Sequence, residues 1–165
     1  FDPLTLKGSY AGAMGMPQFI SSSYRHYAID FDGDNIIDIW NNPNDAIGSV
    51  ANYFAEHGWQ KDKPIIAKVK VNGEKYKSVL GKGLKPDLSE SELVKFGIKS
   101  NFLFEKNEKL KLFEYEGKNI NEYWLAHNNF YVITRYNHSH LYAMAVYQLS
   151  LEIEKLNNNI SKTLD

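Results

Sequence analysis

The sequence predicts an α+β protein, mainly helical, with a small β-containing lobe inserted between two helical segments. Three observations carry this expectation. Residues 1–60 combine turns and small residues with apolar residues at helical spacing; residues 61–128 switch to alternating apolar and polar patterns; residues 129–165 return to helical spacing. These ranges are expected as an α core carrying an acidic loop, an inserted α/β lobe, and a return to the core through a carboxyl-terminal helix. With 165 residues, 43% apolar and 14% aromatic, the chain can bury a core of its own, which separates it from disordered tails.

The acidic loop is Asp30-Phe31-Asp32-Gly33-Asp34-Asn35-Ile36-Ile37-Asp38. Carboxylates at every second position repel one another unless a hard cation lies among them. An oxygen-ligated Ca²⁺ takes side chains from loop positions one, three and five and a backbone carbonyl from position seven. Those positions are Asp30, Asp32, Asp34 and Ile36, so the loop is EF-hand-like at its start. Asn35 stands where Gly is usual and tolerates positive φ better than most residues. The twelfth position holds Asn41 rather than Glu, and Asp45 is the candidate for the closing carboxylate. Asp38 either acts through a water or caps the turn. The simpler alternatives are a solvated Asp/Asn/Gly turn and an acid favoured by a helix amino terminus.

Asp45 opens a predicted helix through Gly58, with apolar residues at 46, 47, 50, 51 and 54 on one face and Gly58 as the carboxyl-terminal cap. Ile65 to Val71 reads as a strand, with a hairpin-type turn at Asn72-Gly73. Ser89-Glu90-Ser91-Glu92 is a capping box for a short helix that Gly97 ends. Lys109 to Glu116 alternates as a half-buried strand. Leu141, Met144, Ala145, Leu149, Ile153 and Leu156 line one side of a final helix able to close onto the first segment, and Asn157-Asn158-Asn159 reads as a fraying tail.

Composition excludes several function classes. No apolar run is long enough to span a bilayer, and the absence of cysteine excludes disulfides and thiolate metal sites. Residues 1–60 hold two basic and seven acidic residues, a balance of −5; the other 105 hold seventeen and thirteen, a balance of +4. No basic stripe with interleaved aromatics stands out, so nucleic acid is not an expected partner. The five histidines show no metal-ligand spacing, and the methionines read as gap fillers. The start at Phe1-Asp2-Pro3 leads to the expectation of a processed or excised piece of a longer protein.

Several blocks occur in one order: Gly8-Ser9-Tyr10-Ala11-Gly12-Ala13-Met14-Gly15-Met16-Pro17-Gln18-Phe19, Ser22-Ser23-Tyr24, the Asp30 loop, Asp45 through Tyr53, and Thr134-Arg135-Tyr136-Asn137-His138-Ser139. Together they resemble the membrane-bound lytic murein transglycosylase B family over nearly the whole chain, densely in the first 60 residues and near 130–149. The resemblance implies a lysozyme-like α domain, here partial, with a small inserted lobe, an EF-hand-like site and structural Ca²⁺. It also implies cleavage of the β-1,4 bond between N-acetylmuramic acid and N-acetylglucosamine in peptidoglycan without water. In that reaction one glutamic acid protonates the glycosidic oxygen and then, as carboxylate, accepts the proton of the muramyl O6 hydroxyl, which attacks the anomeric carbon to leave a 1,6-anhydro end. The requirement is a carboxyl group of raised pKa in a poorly solvated pocket.

The family's catalytic Glu precedes the Ala-Met-Gly-x-x-Gln block by several dozen residues, and no Glu here occupies that place. The expectation is a carboxyl-terminal portion, inactive alone, whose partners are peptidoglycan strands and the missing amino-terminal portion, in the bacterial periplasm or cell envelope, with lipid anchoring of the parent left open. By the same resemblance Ser9 and Gln18 flank the absent acid, and Tyr53, Tyr136, Asn137 and Tyr142 line sugar subsites. Simpler roles stay open: Ser9 capping a turn, Gln18 satisfying backbone groups, Tyr53 and Tyr142 packing in the core. The alternative from another class is a non-catalytic, calcium-stabilised module binding wall glycan or a protein; a lone EF-hand-like loop without a pairing loop argues against a calcium sensor. An enzyme portion should leave the apolar faces of its first and last helices open, whereas a module should bury them.

Overall fold

The computed structural model describes residues 5–163, so Phe1-Asp2-Pro3 lie outside the described residues. The chain divides between Trp59 and Gln60 into two compact units; the ranges expected separately as 61–128 and 129–165 fall within the second.

The first unit holds α1 (Ser21–Tyr27) and α2 (Pro43–Glu56). The segment before α1 is folded on itself by antiparallel bridges Gly8 to Met14 and Met14 to Phe19. α2 begins two residues earlier than the sequence suggests. Asn42 caps it, accepting the Asn44 amide through its side chain at 3.0 Å, and Pro43 occupies the first turn, where its missing N–H costs nothing. Gly58, at φ 87°, follows the helix as expected.

The buried face of α2 is not the expected apolar stripe. Asp45, Ala46, Gly48, Ser49 and Tyr53 are buried, whereas Ile47 is 68% exposed and Ala51 is exposed. Polar side chains explain the choice. Asp45, Ser49 and Asn52, spaced one helical turn apart, accept from the Phe31, Asp38 and Ile29 amides and donate to the Tyr27 carbonyl, satisfying backbone that no regular element pairs. Gly48 admits Phe31: a Cβ there would lie 2.4 Å from the ring.

The second unit is built on an antiparallel sheet in the order β2-β1-β4-β3, with β1 Ile66–Val71, β2 Ile98–Lys99, β3 Lys111–Tyr115 and β4 Glu122–Ala126. Three helices accompany it: α3 (Glu90–Lys95), α4 (Asn128–Tyr136) and α5 (His140–Thr163). Val69, Leu112 and Leu125 turn one sheet face into a core with Tyr76, Leu88, Leu93 and Ile98, and Phe113 meets Phe130 of α4 with ring centroids 5.5 Å apart. The capping box at Ser89 and Glu92 forms, the Ser89 amide donating to Glu92 at 2.8 Å. Gly97 is required on two grounds: its φ is 74°, and a Cβ would sit 2.4 Å from the Asn72 carbonyl oxygen.

Three expectations are corrected. The Asn72-Gly73 turn opens a 3-10 helix (Lys75–Val79) instead of returning the chain into a neighbouring strand. Lys111, read as the solvent side of a half-buried strand, is 1% exposed; its ammonium donates to the Lys82 carbonyl at 2.7 Å and Asp87 at 2.9 Å, which makes burial tolerable. α5 continues through Asn157-Asn158-Asn159. Along α5 the apolar stripe is open, with Leu141, Leu149, Ile153 and Leu156 each more than half exposed and Met144 buried.

Candidate functional site

In the first unit the acidic loop is wound around its own carboxylates. Asp30 accepts the amides of Gly33 (2.7 Å), Asp34 (3.2 Å) and Asn35 (2.8 Å), which folds the backbone over it, and Gly33 and Asn35 take the positive φ values of 79° and 69° that this requires. Asp45, fully buried, reaches from α2 with one oxygen on the Phe31 amide and the other on the Asp38 amide, both at 2.8 Å. Asp38 closes the next turn by accepting the Trp40 and Asn41 amides at 2.9 Å, so of its two sequence roles it performs the capping one.

Carboxylate oxygens of Asp30, Asp32 and Asp45 converge within 4.8 Å of one another. Asp34, expected alongside them, is arranged differently: its carboxylate accepts the Ile36 amide at 2.8 Å. The sequence reading missed Asn42 and Asn44, whose side-chain amides donate to Asp32 at 2.9 and 3.1 Å and hold its carboxyl below the ordinary carboxylate range. For Asp38, desolvation acts upward, but the Asn41 and Trp40 hydrogen bonds outweigh it and the carboxyl is also lowered. Three convergent carboxylates with no nitrogen or sulfur donor among them are a donor set for a hard cation, so the residues fit Ca²⁺.

The remaining site residues fall into the two units. Ser9 is exposed; its hydroxyl accepts the Ala13 amide at 3.1 Å across a turn. Gln18 is exposed at φ 55°, a left-handed backbone that glutamine rarely adopts, and its side chain donates to the Gly15 carbonyl at 2.9 Å. Tyr53 is 8% exposed and stacks on His57 with centroids 4.0 Å apart, with Tyr27 at 4.8 Å and Phe19 at 6.0 Å. The simpler roles for these three are thus realised, while the exposure of Ser9 and Gln18 leaves both accessible. In the second unit Tyr136 is half-buried at the end of α4, Asn137 is its exposed cap, and Tyr142 is 37% exposed on the first turn of α5. The missed residue there is Ser139, whose hydroxyl accepts the Tyr142 amide at 3.2 Å and sets the α4–α5 corner. A Ser just before an apolar helical pattern was the signal for it.

Among the described residues no helix is long and apolar enough to cross a membrane. Residues 1–151 match the transglycosylase SLT domain family. The chain is 47% identical over 148 residues to Escherichia coli (strain K12) membrane-bound lytic murein transglycosylase B, covering 90% of this chain and 40% of that protein. Among solved structures, the catenated lytic transglycosylase SltB1 of Pseudomonas aeruginosa aligns with a TM-score of 0.90 and 49% identity over 94% of this chain and 51% of its own. The E. coli lytic transglycosylase Slt35 in complex with calcium aligns with a TM-score of 0.83 and 44% identity, over 94% and 48%. The chain therefore spans about half the length of these relatives, or less. Helices with a small antiparallel sheet, superposable on those enzymes, make this the lysozyme-like lytic transglycosylase fold, and the chain belongs to the SLT-domain transglycosylase family.

Proposed function

We propose that this chain is a portion of a peptidoglycan lytic transglycosylase that cleaves the MurNAc-β-1,4-GlcNAc bond to leave 1,6-anhydroMurNAc ends, with the general acid/base Glu contributed from outside these 165 residues. The family match over residues 1–151 supports the reaction class. The observation that favours an enzyme portion over a self-contained binding module is the open apolar face of α2. Met16, Ile47, Val50 and Phe54 border an apolar cleft of about 480 Å³ within the first unit, an arrangement that a complete core would cover.

In this reading Ser9 and Gln18 flank the acid, and Tyr53, Tyr136, Asn137 and Tyr142 hold sugar rings by stacking and by hydrogen bonds to hydroxyl and acetamido groups. The strained Gln18 backbone, fixed by the Gly15 carbonyl, keeps its amide in place without reorganisation during reaction. Asp30, Asp32, Asp34, the Ile36 carbonyl and Asp45 hold a structural Ca²⁺, which when bound offsets the repulsion among the loop carboxylates. The calcium complex of Slt35 supports this assignment.

The test is product analysis by mass spectrometry. Peptidoglycan incubated with this chain alone should yield no anhydro-muropeptides, whereas adding the portion of the E. coli relative that lies outside the match should release them. Product from the chain alone would contradict the placement of the acid; none from the combined portions would contradict the function.

A further inference from the structure

A cleft of about 690 Å³ lies within the second unit between α5 and the β3–β4 hairpin, and none of its lining residues belongs to the proposed groove. Its sheet side presents Trp124, half-buried and immobilised. The indole N–H donates to Glu122 at 3.2 Å, the Lys68 ammonium lies 5.9 Å from the ring centroid, and Lys68 and Glu122 form an ion pair at 2.6 Å. Its helix side presents Leu141, Ala145 and Gln148, all exposed, one helical turn apart on α5.

The lining joins an apolar wall to a few polar groups in a volume within the range of small-ligand clefts. The Lys68 pairing balances the charge of Glu122, the exposed Glu116 and Lys118 of the hairpin carry opposite charges, and the neighbouring amides of Gln148 and Asn119 are neutral, so a neutral, hydroxyl-rich molecule suits it better than a charged one. A ring already held at its indole N–H and by Lys68 loses little freedom when a flat apolar face stacks on it, and pyranose rings offer such a face.

We infer that the Trp124 cleft is a second, non-catalytic saccharide site, holding N-acetylhexosamine units of a glycan strand apart from the residues assigned to cleavage. It rests on the peptidoglycan reading for the identity of the sugar. Such a site retains a strand between bond-breaking events by raising the effective concentration of glycan at the groove.

The experiment is a titration of the ¹⁵N-labelled 165-residue chain with tetra-N-acetylchitotetraose, followed by NMR at the Trp124 indole. The expected result is a saturable shift there, weakened about tenfold by Ala145→Arg, which fills the cleft from an exposed helix position without touching the core. Gln148→Ala should weaken it severalfold. Shifts confined to Gln18 and Asn137 would overturn the second site and leave the groove standing. Binding at Trp124 by a free stem tetrapeptide but not by the oligosaccharide would also overturn it. Shifts nowhere would do the same, the cleavage assay then judging the wider reading independently.

Discussion

At the residue scale the acidic loop shows what periodicity hides. Asp30, Asp32 and Asp45 could be picked from the sequence because alternate carboxylates in a turn need a reason, and the structure brings those three together. What the pattern did not reveal is that Asp45 is first a backbone anchor, since each of its oxygens already accepts an amide. Asp45→Ala should therefore destabilise the chain by about 2–4 kcal/mol in EDTA, because two amides lose their acceptor in a buried place. Asp32→Ala, removing an exposed group, should leave the urea midpoint in EDTA nearly unchanged; similar losses for both would contradict the anchor role. His140 gives a pH prediction. Its ring lies stacked on Phe113 at 5.0 Å, and burial lowers its pKa from 6.5. The unfolded chain thus takes up the proton first on acidification, so this contribution is fully present above about pH 6.5 and is lost as pH falls below it. Between about pH 7.5 and about pH 5.5, thermal midpoints of His140→Gln should fall less steeply than those of the parent.

Elements were legible where local chemistry decides them. The capping box at Ser89, the strand at Ile66–Val71, the helix ending before Gly58 and the left-handed Gly97 all follow from nearby residues. The buried face of α2 was not legible from apolar spacing, because its partner is irregular backbone that needs hydrogen bonds more than hydrocarbon. Strand β4 was missed for a related reason. Tyr123 and Trp124 are both half-buried, facing opposite sides of the sheet, and give no clean alternation. The open α2 stripe yields a prediction of its own. Ile47→Glu should change the stability of the chain alone by less than about 0.5 kcal/mol, since the side chain is already 68% exposed. It should nevertheless reduce anhydro-product release in the combined assay at least tenfold, roughly the cost of misplacing one helix contact. Unchanged product release would show that this stripe is not covered in the working enzyme.

At the scale of the molecule, the ordered blocks between Gly8 and Ser139 carried the family reading, and the family match bears it out over residues 1–151. The arrangement of the residues proposed to hold sugar was less legible, because no local pattern distinguishes an exposed tyrosine that binds from one that packs. The central claim is that a divalent ion orders the acidic loop and, through Asp45 and α2, the adjoining backbone that carries Gln18 and Tyr53. Thermal unfolding of the chain with and without Ca²⁺ tests it most directly. At about a hundredfold excess over the dissociation constant, binding adds about 2.7 kcal/mol, raising the midpoint by about 5–10 °C, and Asp30→Ala with Asp34→Ala should abolish the rise. Equal midpoints with and without the ion in the unsubstituted chain would contradict the claim.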